Sequence, residues 1–174
     1  MKLEFKGVFP APPTPVAEDG RINEKALRAL LDDNISHGCG GFWMAGSTGE
    51  VGLTCFSGNG AFPLPALTMG AVGTIDAPPS IAPWHYAELF SAWEAGNMTL
   101  AQSLQDGVRK YVDLVWMFGA PADVCKTVLS ARLGVDCGHS IPPVNRLTDE
   151  QRREVLRVAE ALGVTASRRN RAVG

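Results

Sequence analysis

Gly40-Gly41-Phe42-Trp43-Met44-Ala45-Gly46-Ser47-Thr48-Gly49-Glu50 joins a short apolar run to two hydroxyls flanked by glycines. A run such as Phe42–Ala45 that stops abruptly at Gly46 predicts a buried strand delivering backbone amides to the end of a sheet. Glycines on either side let a small ligand approach the main chain closely. Amides and hydroxyls donate hydrogen bonds, so Gly46, Ser47, Thr48 and Gly49 suit a carboxylate. The bland alternative is an ordinary strand followed by a glycine turn, and these residues alone do not choose between the two.

The rest of the chain supplies the context. At 174 residues, 45% hydrophobic and 20% charged, with net charge −2, it has the makeup of one globular domain with a sizeable core. That charge balance gives no reason to expect nucleic acid or a membrane as a partner. No run has the length of a signal-peptide core or a membrane span, and a cytoplasmic protein is expected. Cys39, Cys55, Cys125 and Cys137 are scattered, without a Cys-x-x-Cys pair. Buried free thiols follow, and His37, His85 and His139 are too isolated to suggest a metal site.

Before the quoted run, residues 5–16 are too rich in proline for a regular central strand, and a short strand breaking at Pro12 is expected. Asn23 can cap a helix with Ala26, Leu27, Leu30, Leu31 and Ile35 on one face, stopped by Gly38. Strand, helix and strand then make the basic unit of a parallel α/β fold. The next step is anomalous. Leu53–Phe56 reads as another strand, yet only Gly46–Gly52 separates it from the previous one. A parallel crossover needs a dozen or more residues. Beyond it come a short helix over Ala61–Met69, a strand over Ala71–Asp76 and a proline-rich loop over Ala77–Pro83. A helix from Pro83 carries Tyr86, Leu89, Phe90 and Trp93 and stops at Gly96. Thr99 can cap one long helix bearing Leu100, Leu104, Val108, Val112 and Val115. A further helix spans Ala122–Leu133, and Thr148-Asp149-Glu150-Gln151 is a capping box opening the last one. Thr165–Gly174, with Arg168, Arg169 and Arg171, reads as a frayed tail.

In order along the chain stand Phe5-x-Gly7, Thr14-Pro15, Asp19-Gly20-x-Ile22-Asn23, Gly38-x-x-Gly41, Gly46-Ser47-Thr48-Gly49-Glu50, Ser57-Gly58-Asn59 and Ala66–Ile75. The series resembles the dihydrodipicolinate synthase / N-acetylneuraminate lyase family of class I aldolases. Lys126–Gly134 and Pro142-Pro143 resemble that family's C-terminal helices. The resemblance implies an α/β fold, a partial (β/α)8 TIM barrel with units like strands 1, 2, 7 and 8, plus C-terminal helices. It jumps from the second unit to the seventh across Val51–Cys55, which accounts for the missing crossover. Such barrels need about 250 residues. The expected layout is a truncated barrel over residues 1–96, a helical region over 97–163 and a tail over 164–174.

The family's chemistry, as the resemblance implies, is a lyase reaction through a Schiff base between a barrel lysine and pyruvate or another 2-oxo acid. The protein's own amine is the electron sink, so no cofactor or metal is implied. Here Ser47 stands where the family usually has threonine, Thr48 matches, and Gly46 and Gly49 frame the carboxylate-binding loop. None of the five lysines, Lys2, Lys6, Lys25, Lys110 and Lys126, falls at a strand end beside Ser47. The segment bearing the proton-shuttling tyrosine is also missing, since Tyr86 and Tyr111 fall on later helices. No catalytic residue is therefore identified, and a chain lacking autonomous catalysis is expected. Three readings follow: an aldolase-family lyase active only if an unrecognised lysine or a partner chain supplies the amine, a non-catalytic 2-oxo-acid binder or regulatory subunit, and a fragment without function. A half-barrel exposes raw sheet edges, so a homo-oligomer or a pairing with a full-length relative is expected.

Overall fold

Among the described residues, three two-residue strands form a parallel sheet: β1 (Gly7–Val8), β2 (Phe56–Ser57) and β3 (Gly73–Thr74), in the order β1-β3-β2. Gly73 and Thr74 of β3 face Gly7 and Val8 on one side and Phe56 and Ser57 on the other. That is the order of the first, eighth and seventh strands around a closed eight-stranded barrel. The computed structural model describes residues 7–10, 12–13, 15, 17–19, 21–40 and 56–166. The predicted strand Phe42–Ala45 and most of Leu53–Phe56 lie outside these residues; Phe56 opens β2. The strands run side by side at Gly73 because it has no side chain. A Cβ there would collide with the Gly7 carbonyl and meet Phe56 Cε1 at 3.0 Å.

The chain divides into two compact units, residues 1–12 with 32–112 and residues 13–31 with 113–174. In the first unit, α4 (Pro83–Glu94) packs on β1 and on α5 (Met98–Asp106), and α2 (Pro63–Thr68) packs on β3, α4 and α5. Its core includes Val8, Phe9, Leu64, Leu67, Ile81, Tyr86, Leu89 and Tyr111. Phe9 and Phe56 meet edge to face with ring centroids 5.2 Å apart. Proline at the first helical position starts α4, and Gly96 follows its end.

In the second unit, α7 (Pro121–Leu133) packs on α8 (Asp149–Ala161), burying Val124, Val128, Leu129, Val155 and Ala159. Gly134 adopts φ +65°, the left-handed conformation that ends α7. The capping box forms as the sequence predicts: Thr148 accepts from the Gln151 amide and the Gln151 side chain accepts from the Thr148 amide.

Several local expectations change. α1 (Glu24–Ser36) is capped by Asn23, whose Oδ1 accepts the Ala26 amide at 3.1 Å. Its buried stripe is Ala26, Leu30, Asp33 and Asn34, while Ile35 is 58% exposed. The proline-rich loop contains a helical turn, α3 (Pro78–Ile81), with proline fixing its first φ. The single long helix is two, α5 and α6 (Arg109–Val115), and the cap is Asn97, which accepts the Leu100 amide, rather than Thr99. The break falls at Gly107, where a Cβ would lie 2.8 Å from the His85 ring. Among the described residues, no helix is long and apolar enough to cross a membrane.

Candidate functional site

All three strands point their C-terminal ends the same way, and the loops leaving those ends are where a barrel of this type places its chemistry. The predicted carboxylate loop, Gly46, Ser47, Thr48 and Gly49, lies outside the described residues. The loops that leave β2 and β3 on this face are held together by hydrogen bonds.

Asp76, just past β3, is the organiser. Its Oδ1 accepts the Ala77 amide at 2.7 Å and its Oδ2 accepts the Gly60 amide at 2.5 Å. The same Gly60 offers its carbonyl to the Tyr86 hydroxyl, 2.9 Å away. One residue is thus gripped on both sides, its N–H by a strand-end carboxylate and its carbonyl by a phenol from α4. A Cβ there would stand 2.9 Å from Asp76 Oδ2 and 3.3 Å from the Tyr86 oxygen, so a side chain would push on both arms of the clamp. Thr74 Oγ1 donates to the Ser57 carbonyl at 3.1 Å, tying β3 to β2. Gln105 of α5 completes the loop by accepting the Leu64 amide and donating to the Ala61 carbonyl.

This arrangement positions backbone. Tyr86 is 1% exposed. Burial first, then the charge of Asp76 and the neighbouring Tyr111, push its phenol far above the ordinary tyrosine range. It stays protonated and acts as a donor to Gly60. Tyr111 is buried and packs edge to face on His85 at 5.1 Å, and His85 Nε2 donates to the Leu104 carbonyl. Both tyrosines therefore lie on helices, as predicted, and serve packing.

Lys25 is exposed on α1 and Lys110 is exposed on α6, its ammonium 5.0 Å from the Tyr111 ring centroid. Lys126 is 4% exposed on α7 and donates to the His139 carbonyl at 2.7 Å. Burial pushes its ammonium below the usual lysine range, against the pull of Asp123. None of these three ends a strand, while Lys2 and Lys6 lie outside the described residues.

The sequence did not reveal the polar centre of the second unit. Asp123 has a fully buried side chain. Its Oδ1 accepts the Ser140 amide, and its Oδ2 accepts the Leu147 amide at 2.9 Å and Arg152 at 3.0 Å. Arg152 also donates to Thr127 Oγ1 and to His139 Nδ1. Burial works against the Asp123 charge, but the Leu147 and Ser140 amides and Arg152 outweigh it and hold the carboxyl below its usual range. The network joins α7, the 134–147 connection and α8. Cys39, Cys125 and Cys137 are buried free thiols, as expected, and Cys55 lies outside the described residues. Among the described residues, no group of three or more His, Cys, Asp or Glu could hold a metal ion.

The chain matches the sequence profile of the dihydrodipicolinate synthetase family in two pieces, residues 4–53 and residues 51–162. The two pieces meet where the crossover is missing. The chain is 34% identical over 115 residues to a 4-hydroxy-tetrahydrodipicolinate synthase of Syntrophus aciditrophicus, covering 66% of this chain and 39% of that protein. It is 43% identical over 53 residues to N-acetylneuraminate lyase 2 of Escherichia coli O6:H1, covering 30% of this chain and 17% of that protein. The matches thus span well under half the length of these relatives. In structure it is similar to a dihydrodipicolinate synthase of Bacillus anthracis, with TM-score 0.77, 13% identity and coverage of 92% of this chain and 99% of that one. It is likewise similar to Proteus mirabilis N-acetylneuraminate lyase, with TM-score 0.75, 14% identity and coverage of 93% and 100%. At such identities these likenesses establish the fold, a partial TIM barrel with added helices. The chain belongs to the dihydrodipicolinate synthetase family.

Proposed function

We propose that this chain is a lyase-family protein that binds the carboxylate of a pyruvate-like 2-oxo acid and does not catalyse alone. Its relatives are named as synthases and lyases. Schiff-base chemistry of the family type needs a desolvated amine at a strand end. That amine adds to the ketone, water leaves, and the resulting iminium draws electrons from the adjacent carbon. The observation that carries the proposal is that Lys25, Lys110 and Lys126 all lie on helices, with the buried one tied to the His139 carbonyl. Lys2 and Lys6 precede β1 in sequence. A carboxylate-binding loop without an amine gives affinity without an electron sink.

In this reading Gly46, Ser47, Thr48 and Gly49 donate to the substrate carboxylate, the protein works in the cytoplasm, and the internal segment that would carry the amine is absent. A second reading, a regulatory subunit that docks on a full-length relative, draws on β2 standing at the edge of the described sheet. Thermal melting with and without pyruvate tests the main proposal. Pyruvate is expected to raise the melting temperature of the native chain and to leave the Ser47→Ala, Thr48→Ala double variant unshifted. An equal shift in both would place the ligand elsewhere.

A further inference from the structure

The connection between α7 and α8 gathers more positive charge than the carboxylates around it neutralise. Lys126 Nζ donates to the His139 carbonyl at 2.7 Å, and Arg146 Nε donates to the next carbonyl, that of Ser140, at 2.6 Å. Two cations are thus drawn to consecutive residues. A third, Arg152, reaches the same place through His139 Nδ1 at 2.8 Å. The carboxylate at hand is Asp123, already taken by the Ser140 and Leu147 amides and by Arg152. Asp136, the connection's own acid, accepts the Gly138 amide. Among the described residues, no carboxylate forms an ion pair with Lys126 or Arg146.

The donors left over are specific. Lys126 is 4% exposed, yet beyond the His139 carbonyl its ammonium has no partner among the described residues. A buried cation left mostly unpaired is costly. Arg146 is exposed, and its two terminal nitrogens are likewise unpaired. An arginine only donates, so His139 Nδ1 accepts from Arg152 and the ring proton sits on Nε2. That N–H, on an exposed ring, is a further open donor. Burial first, and the like charge of Arg146 with it, lower the Lys126 ammonium against the pull of Asp123 and Cys137. We infer that this connection is a binding site for a phosphoryl dianion, held by Arg146, Lys126 and His139. Three cations against one carboxylate leave a surplus that matches the charge of about −2 on a phosphate group near neutral pH. The planar fork of Arg146 suits phosphate oxygens, and a buried ammonium behind it acts as a point charge. A lone carboxylate would cancel only part of that surplus, which sets this site apart from the one proposed at Gly46–Gly49.

Titration of inorganic phosphate into the full chain, against chloride at matched ionic strength, tests this by thermal melting and by the NMR signals of the His139 ring. Those signals are assigned by their loss in His139→Gln. Phosphate is expected to raise the melting temperature and to shift the His139 ring protons saturably. Arg146→Ala should weaken binding about tenfold or more, as loss of a charge-assisted pair requires. Arg146→Lys, which keeps the charge without the fork, should fall between the two. The Ser47→Ala, Thr48→Ala double variant should bind phosphate as the native chain does. A phosphate monoester titrated alongside separates the sources: equal affinity marks a site for a phosphorylated molecule, and preference for the free ion marks a site for phosphate itself. Circular dichroism confirms that each variant is folded, and the His139 signals of the native chain stand independently of the variants. A native chain that responds to phosphate no more than to chloride overturns the inference. So does a His139 ring that ignores phosphate, or an affinity unchanged in Arg146→Ala.

Discussion

The two units solve the same problem, buried polarity, in opposite ways. In the first, each polar side chain makes one or two bonds: Asp76 and Tyr86 grip one residue, Gly60, by its N–H and its carbonyl, and Thr74 reaches across to Ser57. In the second, one carboxylate, Asp123, gathers donors from the connection after α7 and from α8. The first unit is held by short strands in close contact and the second by a charge that cannot be left unpaired. The difference teaches that the family's frame persists in both units by different means, while the described lysines Lys25, Lys110 and Lys126 all lie on helices.

The comparison breaks most sharply at Asp123. Asp123→Ala strands the Arg152 charge and two buried amides, and should cost about 3–5 kcal/mol, read by urea unfolding. Hydrogen exchange should localise the loss to α7 and α8. Gly73→Val should be the equivalent injury in the first unit, forcing β3 away from β1, at about 3 kcal/mol. Exchange should then rise around β1, β3 and α4.

pH separates the two units further. The Asp123 carboxyl is held low in the folded state, so its stabilisation is complete above the unfolded carboxyl range, about pH 4, and is lost as pH falls through the folded value. The Tyr86 phenol is raised, so its contribution is complete below about pH 10 and declines as pH rises beyond it. Acid should open α7 and α8 first, and alkali should open α4 and the Gly60 loop first, as followed by peptide-resolved exchange. The smallest effect belongs to the capping box. Thr148→Ala should cost about 1 kcal/mol by thermal melting.

Much of the frame is legible in the sequence because its signals are local. Asn23, Pro83, Gly134 and the Thr148–Gln151 box each mark a helix end through contacts within four residues. Ile35 misleads because a helical stripe does not reveal that Asp33 and Asn34 occupy the buried side instead. Similarly, the break at Gly107 depends on a ring more than twenty positions earlier, His85, and no pattern within the helix announces it. Long range also hides the clamp on Gly60 and the donors of Asp123, whose partners lie 16 to 29 residues away. The proposed carboxylate loop, Gly46, Ser47, Thr48 and Gly49, is read from the sequence alone and lies outside the described residues. The parallel order β1-β3-β2 bears out the expected arc of first, eighth and seventh barrel strands.

The most direct measurement is the intact mass of the chain after incubation with pyruvate and borohydride, which reduces and traps any iminium. A sample that melts cooperatively and gains no mass is what the account predicts. A single added pyruvyl group on one lysine would contradict it and would name the amine.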